Sequence, residues 1–262
     1  KESFRELRRL YKAGKLNQEQ TKLWMPQKPL EELYDLSKDP QELNNLAEDP
    51  AYATKKKELR NALHTWMVQS KDLGLLPEAE YMQRGAATSP YQYSKQTDPG
   101  LFKELLSAAE MVGTSKEEEI WENLMHTESG VRFWGIMAIM NQESLSDESL
   151  SRLEKLLKDP SPSVQIAAAE ALCTFSSYPK ALEVLGKWLK SEKAWIALQA
   201  ARSVQMIQEE ARPLIPIMYE VLENNLGEPG ARLKYKDFNF AAFTSWALEW
   251  ALLELGEEVK VN

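Results

Sequence analysis

The chain has 262 residues, which suits one large or two ordinary domains with a sizeable core. With 43% apolar residues, 27% charged residues and only 11 glycines, it has the composition of a mostly helical globular protein. The net charge of −8 is uneven: residues 1–100 hold 16 basic and 15 acidic side chains, residues 101–262 hold 16 and 25. So acidic a second half excludes nucleic acid as partner, because phosphate binding rests on Lys and Arg. The lone cysteine, Cys173, excludes an internal disulfide. No apolar run reaches the roughly 18–20 residues of a membrane span. The chain starts at Lys1 with no basic-then-apolar leader, which reads as a fragment or processed product.

Ser3–Glu6 has the form of a capping box, and Phe4, Leu7 and Leu10 follow at helical spacing up to a stop at Gly14. Asn17–Gln20 repeats the box and starts a short helix closed by Pro26. Glu32–Leu36 alternates and predicts a short half-buried strand. Asp39-Pro40-Gln41-Glu42 predicts a capped helix start, and Asp49-Pro50 another. In the second, Leu59, Leu63 and Trp66 form one apolar stripe, with Lys55, Lys56 and Lys57 on a solvated side, and Asp72-Leu73-Gly74 as the end. Residues 84–97 lack helical periodicity and read as a linker, dividing a segment 1–83 from a domain 98–262.

Beyond Asp98-Pro99 the chain repeats one grammar: an apolar helix, a turn, then a second helix rich in small residues. Second helices begin near Val131, Val164 and Trp195, at steps of 33 and 31 residues. A fourth pair starts at Pro213/Pro216, and an insertion, Asn224–Asp237, carries it to Asn239–Leu255. Helix-pair repeats of this period predict an α-solenoid, and the units resemble HEAT repeats. The fold class expected is therefore mostly α, a solenoid of HEAT-like pairs preceded by a small α+β segment.

Glu32-Leu33-Tyr34-Asp35-Leu36, followed by Asp39-Pro40, Glu42 and Asn45-Leu46-Ala47, resembles the strand and turn near the C-terminal end of sulfatases of the alkaline-phosphatase-like superfamily. Trp66 and Asp72–Glu78 resemble the closing helix and exit of that subdomain. Glu6–Leu10, Gly14-Lys15-Leu16 and Pro26 fit its approach in bacterial members. The likeness covers roughly residues 1–80 and implies a sulfuric ester hydrolase as parent. It also implies calcium, a formylglycine, a periplasmic or secreted compartment, and the parent's catalytic domain as partner. The catalytic residues cannot be carried over. Cys173-Thr174-Phe175-Ser176-Ser177 lacks the Pro and Arg of C/S-x-P-x-R, and no Asp-Asp pair exists for a hard-cation shell. No catalytic, cofactor-binding or metal residue is therefore assigned to this chain.

Three readings follow: a non-catalytic C-terminal part of a sulfatase, a stand-alone protein-interaction scaffold, and an accessory module for sulfated glycans. Cys173 reads as a buried small residue. His64 and His126 have no companion for a metal. Glu117-Glu118-Glu119 reads as the acidic first turn of a helix. Six of the eight Trp lie in the second half: Trp121, Trp134, Trp188, Trp195, Trp246 and Trp250. Most such residues are core, but Trp134 and Trp195, near the starts of concave-side helices, are the candidate sugar platforms. Arg8 and Arg9 are candidate sulfate contacts, since Arg suits bidentate anion binding.

Overall fold

The computed structural model describes residues 2–25 and 28–259. They form two compact units, Lys1–Trp66 and Met67–Asn262. Pro26, read above as the end of the second helix, lies outside the described residues.

In the first unit, α1 spans Glu2–Lys12 and stops at Gly14, whose φ of +63° suits a residue without Cβ. Asn17 caps α2 (Gln18–Thr21) through the expected reciprocal box with Gln20, and a 3₁₀ turn carries the chain to Trp24. Tyr11 stacks on Trp24 at 5.2 Å and Phe4 tilts against it at 5.4 Å.

The strand expected at 32–36 does not form; among the described residues there is no strand, only a lone bridge between Leu226 and Tyr235. A strand needs a partner ladder, and Leu33 finds other partners. Its N–H donates to Asn45 Oδ1 at 2.9 Å, and its carbonyl accepts from Leu46 N at 2.7 Å. Asn45 Nδ2 also donates to the Glu31 carbonyl at 3.1 Å. One amide side chain thus pins the segment that a second strand would have held. The helix expected after Asp39 does not form either. Asp39 closes a single turn with Glu42 N and then accepts from Asn44 N at 2.8 Å. Glu42 turns to φ +56°, which ends any helical run.

The start at Asp49 holds: its side chain accepts from Ala51 N, and a 3₁₀ turn leads into α3 (Ala53–Ser70). Arg60 forms a two-pronged pair with Glu31, and that hydrogen bond holds the Glu31 carboxyl below its usual range despite burial.

In the second unit, Asp72 caps a 3₁₀ turn, Leu73–Leu75, and short helices α4 (Glu78–Arg84) and α5 (Pro90–Gln96) follow. Residues 84–97, read as lacking helix, therefore contain one. Ser89 caps it and Pro90 fills its first position, so start signals outweigh weak periodicity. Helix α6 (Pro99–Ala109) packs on the first of the helix pairs.

The pairs are α7 (Glu117–Leu124) with α8 (Ser129–Met140), α9 (Asp147–Leu156) with α10 (Pro162–Phe175), α11 (Pro179–Leu189) with α12 (Ala194–Met206), and α13 (Ile215–Asn224) with α14 (Phe240–Glu254). The two helices of each pair pack together, and α8, α10, α12 and α14 pack in succession. Small residues make this possible: Ala167, Ala168, Ala169 and Ala171 of α10 and Ala200 and Ala201 of α12 are buried. Leucines of the first helices, such as Leu153 and Leu185, fill the spaces between. Arg132 ties one pair to the next. Its guanidinium grips Asp159 through two bonds of 2.7 Å and donates to the carbonyls of His126 and Thr127.

A second polar tie fixes α4 against the repeats. The buried Glu80 carboxylate accepts from Ser129 Oγ at 3.0 Å and from Ser161 Oγ. These serines stand at the N-termini of α8 and α10, where helix dipoles favour an anion. Arg84 bridges Glu80 at 3.0 Å, Ser129 Oγ at 2.7 Å, the Tyr93 hydroxyl at 3.0 Å, and Glu128. Burial works against the charge on Arg84, but the bonds to Glu128 and Tyr93 outweigh it and raise its pKa. Burial likewise pushes the Glu128 carboxyl up, and Arg84 overrides it and holds it low.

Replacing Arg84 by Ala leaves two carboxylates in a solvent-poor site without their cation. The expected loss is about 3 kcal/mol in chemical denaturation, with Arg84→Lys losing less. A loss below about 1 kcal/mol would reduce the cluster to a surface pair.

Candidate functional site

The surface best formed for binding lies between α12 and α14. One face of α12 presents Trp195, Leu198, Gln199, Arg202 and Gln205, and one face of α14 presents Phe243, Trp246, Ala247 and Trp250. The opposite faces are already committed to core: Ala197, Ala200 and Val204 on α12, and Ala242, Leu248 and Leu252 on α14. Pro77, Glu78 and Ala79 at the start of α4, Phe133 of α8, and Asn239 complete the walls of a groove of about 830 Å³. That size falls among small-molecule sites, roughly 300–1,000 Å³.

The groove is aromatic but not sealed. Phe243 and Trp246 are 46% and 42% exposed, with rings edge-to-face at 5.1 Å and 85°. Phe238 supports Trp246 from outside at 5.8 Å. Trp195 packs edge-on to Phe240 at 6.2 Å. Among the polar groups, Gln199 is held by Ser163, accepting from Oγ at 2.6 Å and donating to the carbonyl at 3.1 Å. Arg202 is exposed and donates to Gln205 Oε1. On α10, burial raises the Glu170 carboxyl against the opposing pull of a 2.5 Å bond from Ser203 of α12 and of Arg202.

The indole N–H groups sort the tryptophans. Trp121 donates to Ser149 Oγ, Trp134 to the Leu75 carbonyl and Trp188 to Gln165, each at 2.8–2.9 Å. These three are built into the packing; Trp134, one of the two platforms expected from sequence, also packs on the cluster around Leu76 and Phe102. Trp195 does line the groove, and its Nε1 is shielded from solvent without a protein acceptor. Arg9 sits on α1 in the other unit, bound to Glu6 at 2.6 Å, and Arg8 lies beside it on the same helix. The sequence reading did not single out Phe243, Trp246 and Trp250 as a set, nor Arg202. Their signal was present: i, i+3, i+7 spacing on α14, and Arg202 seven residues after Trp195 on α12.

Other chemistry-bearing residues are accounted for by structure. Glu117, Glu118 and Glu119 occupy the first turn of α7, where Glu119 accepts from Lys116 N and Glu117 from Ser146. His126 Nδ1 accepts from Glu128 N. No three His, Cys, Asp or Glu side chains among the described residues are grouped to hold a metal. Cys173 lies buried in α10.

Three comparisons with known proteins bear on this architecture. Residues 150–226 match the family model for HEAT repeats. A stretch of 91 residues, 34% of the chain, is 43% identical to an ulvan-active sulfatase of Formosa agariphila and covers 15% of that protein's length. No solved structure matches. No helix is long and apolar enough to cross a membrane among the described residues.

Burial, with smaller contributions from Glu210 and Glu170, pushes the Cys173 thiol up to about 12. The native chain at pH 8 should therefore react with a disulfide reagent at least about 100-fold more slowly than the denatured chain. Equal rates would place Cys173 on an accessible surface.

Proposed function

We propose that this chain is the C-terminal region of a sulfuric ester hydrolase. In this reading, the segment 1–83 belongs to the enzyme's C-terminal subdomain and supplies no catalytic group. The HEAT-like pairs form an α-solenoid that serves the enzyme as a binding module. The observation that carries the reading is the 43% identity to the ulvan-active sulfatase, joined in one chain to HEAT repeats.

Two features of the chain support it. Leu59, Leu63 and Trp66 run along one side of α3 and are 48%, 53% and 61% exposed. An apolar row of that kind marks an interaction surface, and the occupant assigned to it is the parent's catalytic domain. The groove between α12 and α14 supplies the helical part with aromatic rings, amides and Arg202 for such a role. Sulfate ester cleavage, calcium and formylglycine then belong to the catalytic domain. This chain's own residues hold, position and recruit. The compartment that goes with the reading is periplasmic or secreted.

The reading frame that encodes the chain should carry a C/S-x-P-x-R motif ahead of the codon for Lys1. Its full product should hydrolyse an aryl sulfate, and residues 1–262 alone should not. A frame without the motif, or turnover that follows the isolated chain through purification, overturns the proposal; the first result leaves a stand-alone scaffold.

A further inference from the structure

We propose that the groove between α12 and α14 binds an oligosaccharide of pyranose rings bearing an acidic substituent. The inference rests on the helix pairs being a binding module, and not on the sulfatase lineage.

The walls fit that chemistry. A pyranose ring has a flat C–H face and a rim of hydroxyls, so its site needs an aromatic face and short polar side chains together. Phe243 and Trp246 stand at right angles and remain exposed, although the other face of α14 already makes the core. Gln205 and Asn239 line the same groove and carry the amide donors and acceptors that hydroxyls use.

Arg202 selects the acidic substituent. It is exposed, it donates to the neutral Gln205, and its charge also acts on the Glu170 carboxyl, which Ser203 holds. A planar guanidinium in that state matches a carboxylate or sulfate ester through two parallel bonds. Glu78, also in the lining, is the opposing charge. It disfavours a uniformly anionic chain and fits a sugar whose acidic groups are spaced along it. An apolar helix would need aliphatic pockets at i, i+4 and i+7. Pro77, Ala79, Leu198 and Ala247 are the aliphatic part of the groove; its rings, its amides and Arg202 are what an apolar helix would leave unused.

The test is a calorimetric titration of the whole chain with two probes: a sulfated, uronate-containing tetrasaccharide prepared from heparin, and neutral cellotetraose. The acidic probe should bind, and the neutral one more weakly. Trp246→Ala should weaken the acidic probe about tenfold through loss of stacking. Arg202→Gln should weaken it by a similar factor and bring it level with cellotetraose. Both side chains are exposed, so circular dichroism should report unchanged folding; Trp246→Phe, which keeps a ring, should retain most of the binding. Three results overturn the proposal: no binding of the acidic probe, binding unchanged in Trp246→Ala, or equal wild-type affinity for both probes. None of these results touches the sulfatase lineage, and a reading frame without the nucleophile motif leaves this titration standing.

Discussion

The arrangement of the helical unit depends on where one buried carboxylate finds its partners. Glu80 sits on a helix of only seven residues, too short to be stable alone. It is held because its oxygens meet serine hydroxyls at the N-termini of α8 and α10, and because Arg84 spans Glu80 and Glu128. Placing α4 there also places Pro77, Glu78 and Ala79 as one wall of the aromatic groove. A polar cluster in the core thus sets the geometry of the surface site beside it. Arg132 and Asp159 do the same job one layer along, fixing the turn that starts α10.

The groove follows from a division of labour on two helices. On α12 and α14 the small residues face inward and allow close stacking, so the large rings are left for the other side. Elsewhere in the unit the rings are absorbed, since Trp121, Trp134 and Trp188 each spend their N–H on a protein acceptor. What distinguishes Trp195 is the lack of such an acceptor, and what distinguishes Trp246 is its exposure. A binding module attached to a hydrolase would hold a polymeric substrate near the catalytic site, which raises its effective concentration without adding chemistry.

Much of the helical part was legible in the sequence because its signals are local. Ser161 before Pro162, and small residues repeating near Val131, Val164 and Trp195, mark start and face together. The local structure of 31–47 was not legible, because its signals are ambiguous locally and decided at a distance. Alternation at 32–36 describes a strand only if a ladder is offered, and here the Asn45 amide satisfies the backbone instead. Asp39-Pro40 is equally good at opening a helix or a single turn, and Glu42 at φ +56° chose the turn. The site was half legible. Trp195 stood out by its position at the head of a helix, but Trp134 looked the same; the carbonyl of Leu75 and the packing around Leu76 and Phe102 separate them. Arg202 gave no signal by itself; it matters because α14 brings Trp246 across from it.

The tryptophan indoles offer the most direct test of the account. In a nitrogen-15 spectrum of the whole chain, titrated with the acidic tetrasaccharide, the assigned indole N–H signals of Trp195 and Trp246 should shift in a saturable way. Those of Trp121, Trp134 and Trp188, whose acceptors lie inside the packing, should stay in place. Shifts confined to the built-in tryptophans, or no shift at Trp195 and Trp246 at saturation, would contradict the claim that α12 and α14 form the binding surface.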